Sequence, residues 1–428
     1  MKGIEFTEME IEKLIIIQSV IDGKRTGKEA SNKLDLSERQ IWRLVKKVKY
    51  NGIEGIKHGN CFYNQPKFIT DEFKENIKNL KLSDDYCDTN FTHFQELLEE
   101  RENIKISYTS LYKILTAYGI ESKKKHKDRK THRQRKRKSH EGELVQADGT
   151  PFDWFKDGNM YSIHGFIDDA TGKVLGAYMC EHECLLGYLE TLRQMLKNYG
   201  IPKCLYPDKF SVFFPVKAQK LTIEEQLQGK TKPTTQFKRI IDVLGIDMFP
   251  ASTSQAKGRI ERLWETFQDR LITEFKLNKI KTIDEANEFL KKYIKKYNKR
   301  FSVKAESEES YFEPVPSYID LDLLLSIKLT RKIDSSGSFT IKNKKFQILN
   351  NNIMPKSKIN IYISKKIGII AEHNNTKYKV ICSDNLPSKY SSLSMNEFYK
   401  EHYQELYSFA LSLLTYNAKE NEPILITS

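Results

Sequence analysis

The sequence predicts a multidomain α+β protein in which helical modules come first, a mixed α/β sheet follows and a small β-barrel comes near the end. Three observations support this. Apolar residues recur at helical spacing through the first part of the chain. Between residues 143 and 300, three strand-like runs precede alternating helices and strands. A later region alternates polar and apolar residues and turns at Gly and Asn. The length of 428 residues leaves room for about three ordinary domains.

Composition and charge indicate a folded protein with a polyanionic partner. The chain has 71 Lys and Arg against 57 Asp and Glu, and a hydrophobic fraction of 39% is enough to build cores. No run reaches the ~18 apolar residues of a membrane span, and the first residues lack a signal-peptide layout, so no membrane partner is expected. The six cysteines suggest ordinary thiols in a reducing cytoplasm. A zinc site at Cys180, His182 and Cys184 is the weaker interpretation, because the spacing is unusual for one.

Residues 1–60 are predicted to form a helix-turn-helix DNA-binding domain. The segment 8–22 is predicted to be helical, and the following apolar residues are spaced to bury one side of two short helices, the second capped by Ser37. We expect the second helix to enter the major groove through four basic residues on its other face. These are Arg39, Arg43, Lys46 and Lys47. A small helical hairpin with a solvated basic face is the alternative.

Residues 61–122 are predicted to be a second helical DNA-binding module, with a last helix that Ser107 begins and Gly119 ends. A basic linker over residues 123–140 follows, in which the run 123–138 carries eleven Lys or Arg and one Asp. Such a run cannot pack on itself, so we expect it to bind phosphates through residues that include Lys136, Arg137 and Lys138. A solvated spacer or a targeting address is the alternative.

Residues 141–300 are predicted to hold the chemistry. Asp148 lies in the first strand, Asp208 ends the fourth strand and Glu261 lies in the first turns of a long helix. Magnesium ions prefer oxygen ligands, and a phosphodiester displacement uses two such ions about 3.5–4 Å apart. Glu265, one turn after Glu261, is a rival that is more typical of a solvated helix acid. Three bases close to Glu261 are expected to hold phosphates: Lys257, Arg259 and Arg262.

Four stretches of this region resemble the DDE transposases of the retroviral-integrase superfamily, and in particular the ISNCY-type insertion-sequence transposases. They are GELVQADGTPFDWF, HGFIDDATGKVLGAYM, LYPDK and TQFKRIIDVLGIDMFPASTSQAKGRIERLWETFQDRL. The resemblance implies an RNase H-like integrase catalytic core and a catalytic triad of Asp148, Asp208 and Glu261. It also implies two Mg²⁺ per active site, with Mn²⁺ as a substitute. Asp168 and Asp169 are expected only to cap a turn.

The remainder of the chain is predicted to contain three further parts. Residues 301–325 form a linker, residues 326–384 a small β-barrel, and residues 385–428 a C-terminal helical tail. The barrel is similar to those that bind nucleic acid through exposed basic strands. A simple capping sheet is the alternative.

The resemblance implies a DNA transposase that binds the terminal inverted repeats of an insertion sequence and catalyses Mg-dependent strand cleavage and strand transfer. Its expected partners are double-stranded DNA, as element ends and as target, and further copies of itself, at least a dimer on DNA. The expected location is the bacterial cytoplasm, in association with the nucleoid. Two alternatives remain. One is a non-catalytic domesticated DNA-binding protein or repressor that needs only residues 1–138, and the other is a nuclease without strand transfer.

Overall fold

The computed structural model describes residues 6–57, 69–122, 135–215, 234–251, 257–349, 352–382, 395–416 and 425–426. The chain divides into two compact units, residues 1–80 and 81–428, each of which is described by itself. The predicted domain boundary at residues 60 and 61 and most of the predicted basic linker, residues 123–134, lie outside the described residues. Within the described ranges, every helix is too short or too polar to cross a membrane.

Three short helices build the first unit. Each begins after a Thr or Ser whose backbone N–H donates to the side chain three residues later, which satisfies an otherwise unpaired helix-end group. Asp35 joins the second helix to the third in the left-handed conformation, with φ of 52°. Residues including Ile17, Ala30 and Ile41 form the buried core. The elements are α1 Glu8–Ile21, α2 Gly27–Leu34, α3 Glu38–Asn51, a 3-10 turn Gly52–Ile56, and α4 Asp71–Leu82, which crosses the unit boundary.

A five-stranded mixed sheet forms the centre of the second unit. Three strands run antiparallel in chain order, and two short strands continue the sheet in parallel beyond β1. The strand order is β3-β2-β1-β4-β6. The strands are β1 Val145–Phe152, β2 Tyr161–Asp168, β3 Val174–Cys180, β4 Cys204–Tyr206 and β6 Asp247–Met248. A separate short pair joins β5 Thr234–Thr235 to β13 Leu425–Ile426.

Helices cover both faces of this sheet. On one face, Val145, Ala147 and Leu205 share a hydrophobic cluster with the buried sides of two helices. On the other face, Ile163 and Met179 pack with two longer helices. The first pair is α7 Leu185–Asn198 and α8 Gln236–Val243, and the second is α9 Gly258–Leu277 and α10 Ile283–Phe301. The predicted mixed α/β sheet flanked by helices is therefore confirmed.

Buried charges attach the helix α5 Phe91–Arg101 to α9 and α10. Glu96 accepts hydrogen bonds from Arg270 and is 2.7 Å from Arg300. Glu274, also on α9, lies 3.6 Å from His93 of α5 and 3.0 Å from Lys296 of α10. Burying a charge is unfavourable unless it is paired, so these contacts fix α5 against the long helices. The helix α6 Tyr108–Ala117 follows α5.

Six antiparallel strands form the last folded part of the second unit, a nearly closed barrel-like sheet of order β7-β10-β11-β12-β9-β8. A helix packs on it through Leu406, Ala410 and the ring of Phe409, which lies 5.3 Å from that of Phe346. The elements are α11 Leu321–Leu324, β7 Ile327–Lys332, β8 Ser338–Ile341, β9 Lys344–Ile348, β10 Lys358–Ser364, β11 Gly368–His373, β12 Thr376–Cys382 and α12 Met395–Leu414.

The attachment of α5 should make stability depend on pH. Burial by itself would raise the pKa of Glu274, but the nearby side chain of His93, 3.6 Å away, and the ammonium of Lys296 lower it from 4.5 to about 2. This carboxylate therefore stabilises the fold above its unfolded pKa, and the contribution is lost as pH falls from about 4.5 towards 2. We expect Glu274→Gln to lower the free energy of unfolding at neutral pH by about 3 kcal/mol, and the deficit to disappear in acid.

Urea unfolding at a series of pH values measures this effect. The control is Glu288→Gln, because Glu288 pairs with Lys291 on the surface, where ion pairs contribute little to stability. Equal losses for Glu274→Gln at neutral and acid pH would show that the charge of Glu274 is not what holds α5.

Candidate active site

Asp148, in the middle of β1, is held by two side chains from the start of α9. Lys257 places its ammonium 2.5 Å from one carboxylate oxygen. The indole N–H of Trp264 donates to the other oxygen over 3.0 Å. Lys257 is buried and Asp148 is about one-fifth exposed, so this ion pair lies mostly out of water. These two contacts attach the start of α9 to the middle of β1 at Asp148.

Close packing of helix on strand makes these contacts possible. Gly165 pairs with Asp148 across β1 and β2, and a Cβ atom at residue 165 would lie only 2.5 Å from Cη2 of Trp264. The backbone N–H of Ile260 also donates to Oε1 of Gln146, in β1, over 3.2 Å. A side chain at residue 165 would push the indole away from Asp148.

Asp208 follows the end of β4, the parallel neighbour of β1. Gln146 pairs with Tyr206, and Asp148 and Asp208 each come two residues later, so the two acids lie at the same level of the sheet. Burial raises the pKa of the Asp208 carboxyl above its usual value. Lys257 lowers this pKa and the charge of Asp148 raises it, in that order of size. Burial is therefore the main cost of ionising Asp208.

Glu261 lies in the first turn of α9 and is exposed. It comes four residues after Lys257 and three before Trp264, which puts it on the helix side that contacts Asp148. Glu265 is also exposed and lies further round the helix. Among the described residues, no three His, Cys, Asp or Glu side chains are close enough together to enclose a metal ion. The structure therefore brings Asp148 and Asp208 together and places Glu261 on the adjoining helix face without closing the group.

The two aspartates suit a hard divalent cation. Their oxygens are the ligands that Mg²⁺ prefers, and one or two protein carboxylates are typical for that ion. Burial raises the pKa of Asp208, so its ionised carboxylate is poorly solvated in this structure, and a bound cation would stabilise that charged form.

A buried acid that the sequence did not single out lies under this site. Glu183 accepts a hydrogen bond from the hydroxyl of Tyr188 over 2.5 Å, and its carboxyl group would lie 3.0 Å from a Cβ atom placed on Gly149. Burial raises the pKa of Glu183, and the charges of Asp208 and Asp148 also act to raise it. Glu181 and Glu183 both lie between Cys180 and Cys184, and nothing in the spacing distinguishes Glu183, so only the fold could reveal it.

Asp168 and Asp169 have different tasks. Asp168 accepts from the backbone N–H of Thr171 over 2.8 Å, so its predicted turn-capping role is confirmed. Asp169 is fully buried, and its carboxylate instead accepts hydrogen bonds from the side chain of Arg135 and the backbone N–H of Lys138. It is also 3.6 Å from Nε of Arg259.

The described end of the basic linker is engaged with the core. Arg137 donates to the carbonyl oxygens of Asp169 and Ala170. Lys138 lies 3.0 Å from Glu143, whereas the side chain of Lys136 stays about four-fifths exposed beside Glu306. Of the three predicted phosphate ligands, Lys136 is the most accessible.

In the first unit, α3 carries its predicted basic face opposite the buried side. Ile41 and Val45 point into the core, and the four predicted cations are exposed. Within the described parts of the chain, no acid pairs with any of them, namely Arg39, Arg43, Lys46 and Lys47. Arg262, on α9, is likewise exposed.

Two curated relatives match most of the chain. The transposase for insertion sequence IS1202 from Streptococcus pneumoniae is 35% identical, over 78% of this chain and 77% of the relative. The putative transposase y4bF from Sinorhizobium fredii is 31% identical, over 82% of this chain and 75% of the relative. This chain belongs to the insertion-sequence transposases. The resemblance seen in the sequence is thereby confirmed.

Comparison with solved structures adds little to this transposase assignment. A chain of the simian T-cell lymphotropic virus intasome is 14% identical and covers 68% of the transposase and 95% of itself, with a TM-score of 0.31. The HTLV-2 integrase catalytic core domain in complex with magnesium is 15% identical, covers 35% of the transposase and 83% of itself, and scores 0.25. Scores this low support no argument. No protein-family model matches the chain.

The burial of Asp208 leads to a stability prediction. Because the folded-state pKa of Asp208 is raised, the folded state holds its proton more tightly than the unfolded chain does. Stability is therefore lost as pH rises through the ordinary Asp range and on through the raised folded pKa. We expect Asp208→Asn to have a higher Tm than wild type at neutral pH and an equal Tm in strong acid. Millimolar Mg²⁺ should raise the Tm of wild type only.

Thermal unfolding with and without Mg²⁺ across a pH series tests this. Glu265→Gln is the control, because this acid is exposed on the same helix as Glu261 and should change neither response. A lower Tm for Asp208→Asn than for wild type at neutral pH would contradict the inference that ionising the Asp208 carboxyl destabilises the fold.

Proposed function

We propose that the chain is an active DNA transposase that binds the terminal inverted repeats of its insertion sequence. It cleaves a strand at each end and joins the freed 3′-hydroxyl to target DNA, in Mg²⁺-dependent reactions. Asp148, Asp208 and Glu261 are the catalytic and metal-binding residues in this proposal. The observation that supports it best is the pair of half-buried aspartates on adjacent parallel strands, with Lys257 of the long helix against one of them.

Bound between these carboxylates, two Mg²⁺ ions, or Mn²⁺ in their place, would activate the attacking oxygen and stabilise the leaving one. Glu261, exposed in the first turn of α9, would be the third carboxylate of this group. Lys257 neutralises Asp148 in the present structure. With the carboxylates neutralised by cations, its ammonium would be released to pair with a phosphate oxygen of the bound strand.

DNA recognition is assigned to the first unit and to bases near the site. The unpaired cations of α3, together with residues 1–60 as a module, would read the terminal repeat through the major groove. Lys136 would bind phosphate as the accessible end of the linker, with Arg137 and Lys138 next to it. Arg262 is exposed for the same task, and Arg259, which lies near Asp169 at the start of α9, belongs to the same proposed phosphate-binding group.

The second candidate function is a non-catalytic DNA-binding protein or repressor. The unpaired cations of α3 would serve that function equally well. It does not account for the buried ion pair of Asp148 with Lys257 or for the half-buried carboxyl of Asp208, because burying charged groups is costly and such groups cluster at functional sites.

Substitutions that keep size and remove charge distinguish the two functions. We expect Asp148→Asn, Asp208→Asn and Glu261→Gln each to lower strand cleavage and joining by orders of magnitude, because each lowers the charge that holds the metal ions. The losses should not add, since the three residues act as a unit. Binding of terminal DNA should persist. The measurement is cleavage and joining of a labelled terminal fragment with Mg²⁺ or Mn²⁺.

Glu265→Gln is the matched control, because it removes an exposed acid from the next turn of the same helix and should keep full activity. Ca²⁺ should support assembly but little chemistry, since its coordination is longer and looser. Wild-type protein that binds terminal DNA tightly and never nicks it with either ion would favour the repressor function.

We further expect at least two copies of the chain on a pair of element ends, because two ends must be cut and each chain offers one pair of aspartates. Closed symmetry is usual for such homo-oligomers. The mass of the complex assembled on terminal DNA checks this. A single chain holding both ends would contradict it.

A further inference from the structure

A large aromatic side chain stands out of the exposed face of α3. Trp42 is 54% exposed, although tryptophan is usually one of the more buried residue types in a folded protein. It is the fifth residue of the helix, about a quarter turn round the helix axis from the buried Ile41 and Val45. Its exposed ring offers a large apolar surface to a partner.

The indole is held in place. Its ring packs on Gly27, the first residue of α2, where a Cβ atom would lie 3.1 Å from Nε1 and 3.2 Å from two ring carbons of Trp42. Gly27 is buried, and Thr26 caps the helix it begins. A large apolar surface in a fixed orientation loses little conformational freedom on binding, which favours its use as a recognition element.

The surroundings of Trp42 identify the chemistry of the partner. Arg39, Arg43 and Lys46 follow one another at helical spacing beside it, exposed and without an acidic partner in the described residues. Lys49 lies on its other side, also exposed. An apolar ring framed by unpaired cations complements a polyanion that also offers apolar surface. Duplex DNA fits this description, because the thymine C5-methyl is the apolar group displayed in the major groove.

We propose that Trp42 is a specificity-determining residue that packs on the methyl group of a thymine in the terminal repeat. This inference rests on the proposed DNA-binding role of α3 and adds to it a stated chemical contact. The position suits the contact, since residues in the first half of a recognition helix are those that reach base edges. The surrounding cations can reach phosphates or the acceptor atoms of guanine, but neither contact involves the thymine methyl group.

Replacing thymine by deoxyuridine tests the contact directly, because this change removes the methyl group and leaves the hydrogen-bonding pattern intact. The full-length protein is titrated with a duplex carrying the terminal inverted repeat that brackets the gene, and with a series in which single thymines are deoxyuridine. Wild type should lose about four-fold in affinity at one or two positions, as expected for one methyl group returned to water. Trp42→Ala should bind the thymine and deoxyuridine duplexes equally at those positions.

Matched variants separate this contact from general effects on α3. Trp42→Phe keeps an aromatic ring and should retain most of the discrimination. Tyr50→Ala removes an 88% exposed aromatic from the end of the same helix and should leave it intact. Lys49→Gln should weaken binding to all duplexes alike and flatten the salt dependence by about 0.9 for each phosphate that the protein no longer neutralises.

The possible failures can be told apart. If wild type binds terminal and unrelated duplexes equally, the proposed recognition role of α3 fails and the inference fails with it. If wild type prefers the terminal repeat but deoxyuridine has no effect that depends on residue 42, only the inference fails. The same holds if Trp42→Ala weakens binding to every sequence equally, which would indicate a backbone contact, or disturbs only the association of chains, which would indicate a protein partner.

Discussion

The closeness of α9 to β2 is the constraint on which the candidate site depends. At residue 165 there is room for a hydrogen atom and no more, because the ring of Trp264 lies where a side chain would begin. This approach lets the indole N–H reach across to Asp148 on the neighbouring strand, and it places Lys257, two turns earlier in the helix, against the same carboxylate. The packing of Trp264 on Gly165 thus determines how α9 contacts Asp148 on β1.

The other side of α9 carries a second set of polar contacts, which attach α5 and α10 to this helix. Arg270 and Glu274 project from the helix into buried pairs with α5 and α10, so residues 91–101 are fastened to the helix that bears Glu261. The helix therefore has an apolar stripe on the sheet, a polar edge at the acids and a charged edge at α5.

Local signals in the sequence were sufficient to predict these helices and strands. The cap at Ser37, the end near Gly119, the three strands after Glu143 and the helical stripe of Ile260 and Leu263 all appear as predicted, since caps and periodicity depend on neighbours in the chain. The mixed α/β character followed from their order.

Contacts between distant residues could not be predicted in this way. The partners of Asp148, Lys257 and Trp264, lie more than a hundred residues away, and their spacing in the sequence gives no indication of these contacts. Asp169 was expected to cap a turn and instead anchors arginines, because the strand carries it inward while its neighbour Asp168 takes the turn. The placement of Asp148, Asp208 and Glu261 as one metal-binding group stays a prediction, as do the domain boundaries.

The two units also differ in how far apart in sequence their contacting residues lie. In the first unit, helices α1 to α3 meet within about fifty residues and each begins at its own capping interaction, whereas β1 of the core must wait for β4 and for a helix more than a hundred residues later. Local contacts form faster than distant ones because the loops they close are shorter. During synthesis the proposed recognition module would therefore be folded and able to bind DNA before the ribosome has added the residues of α9, including Glu261.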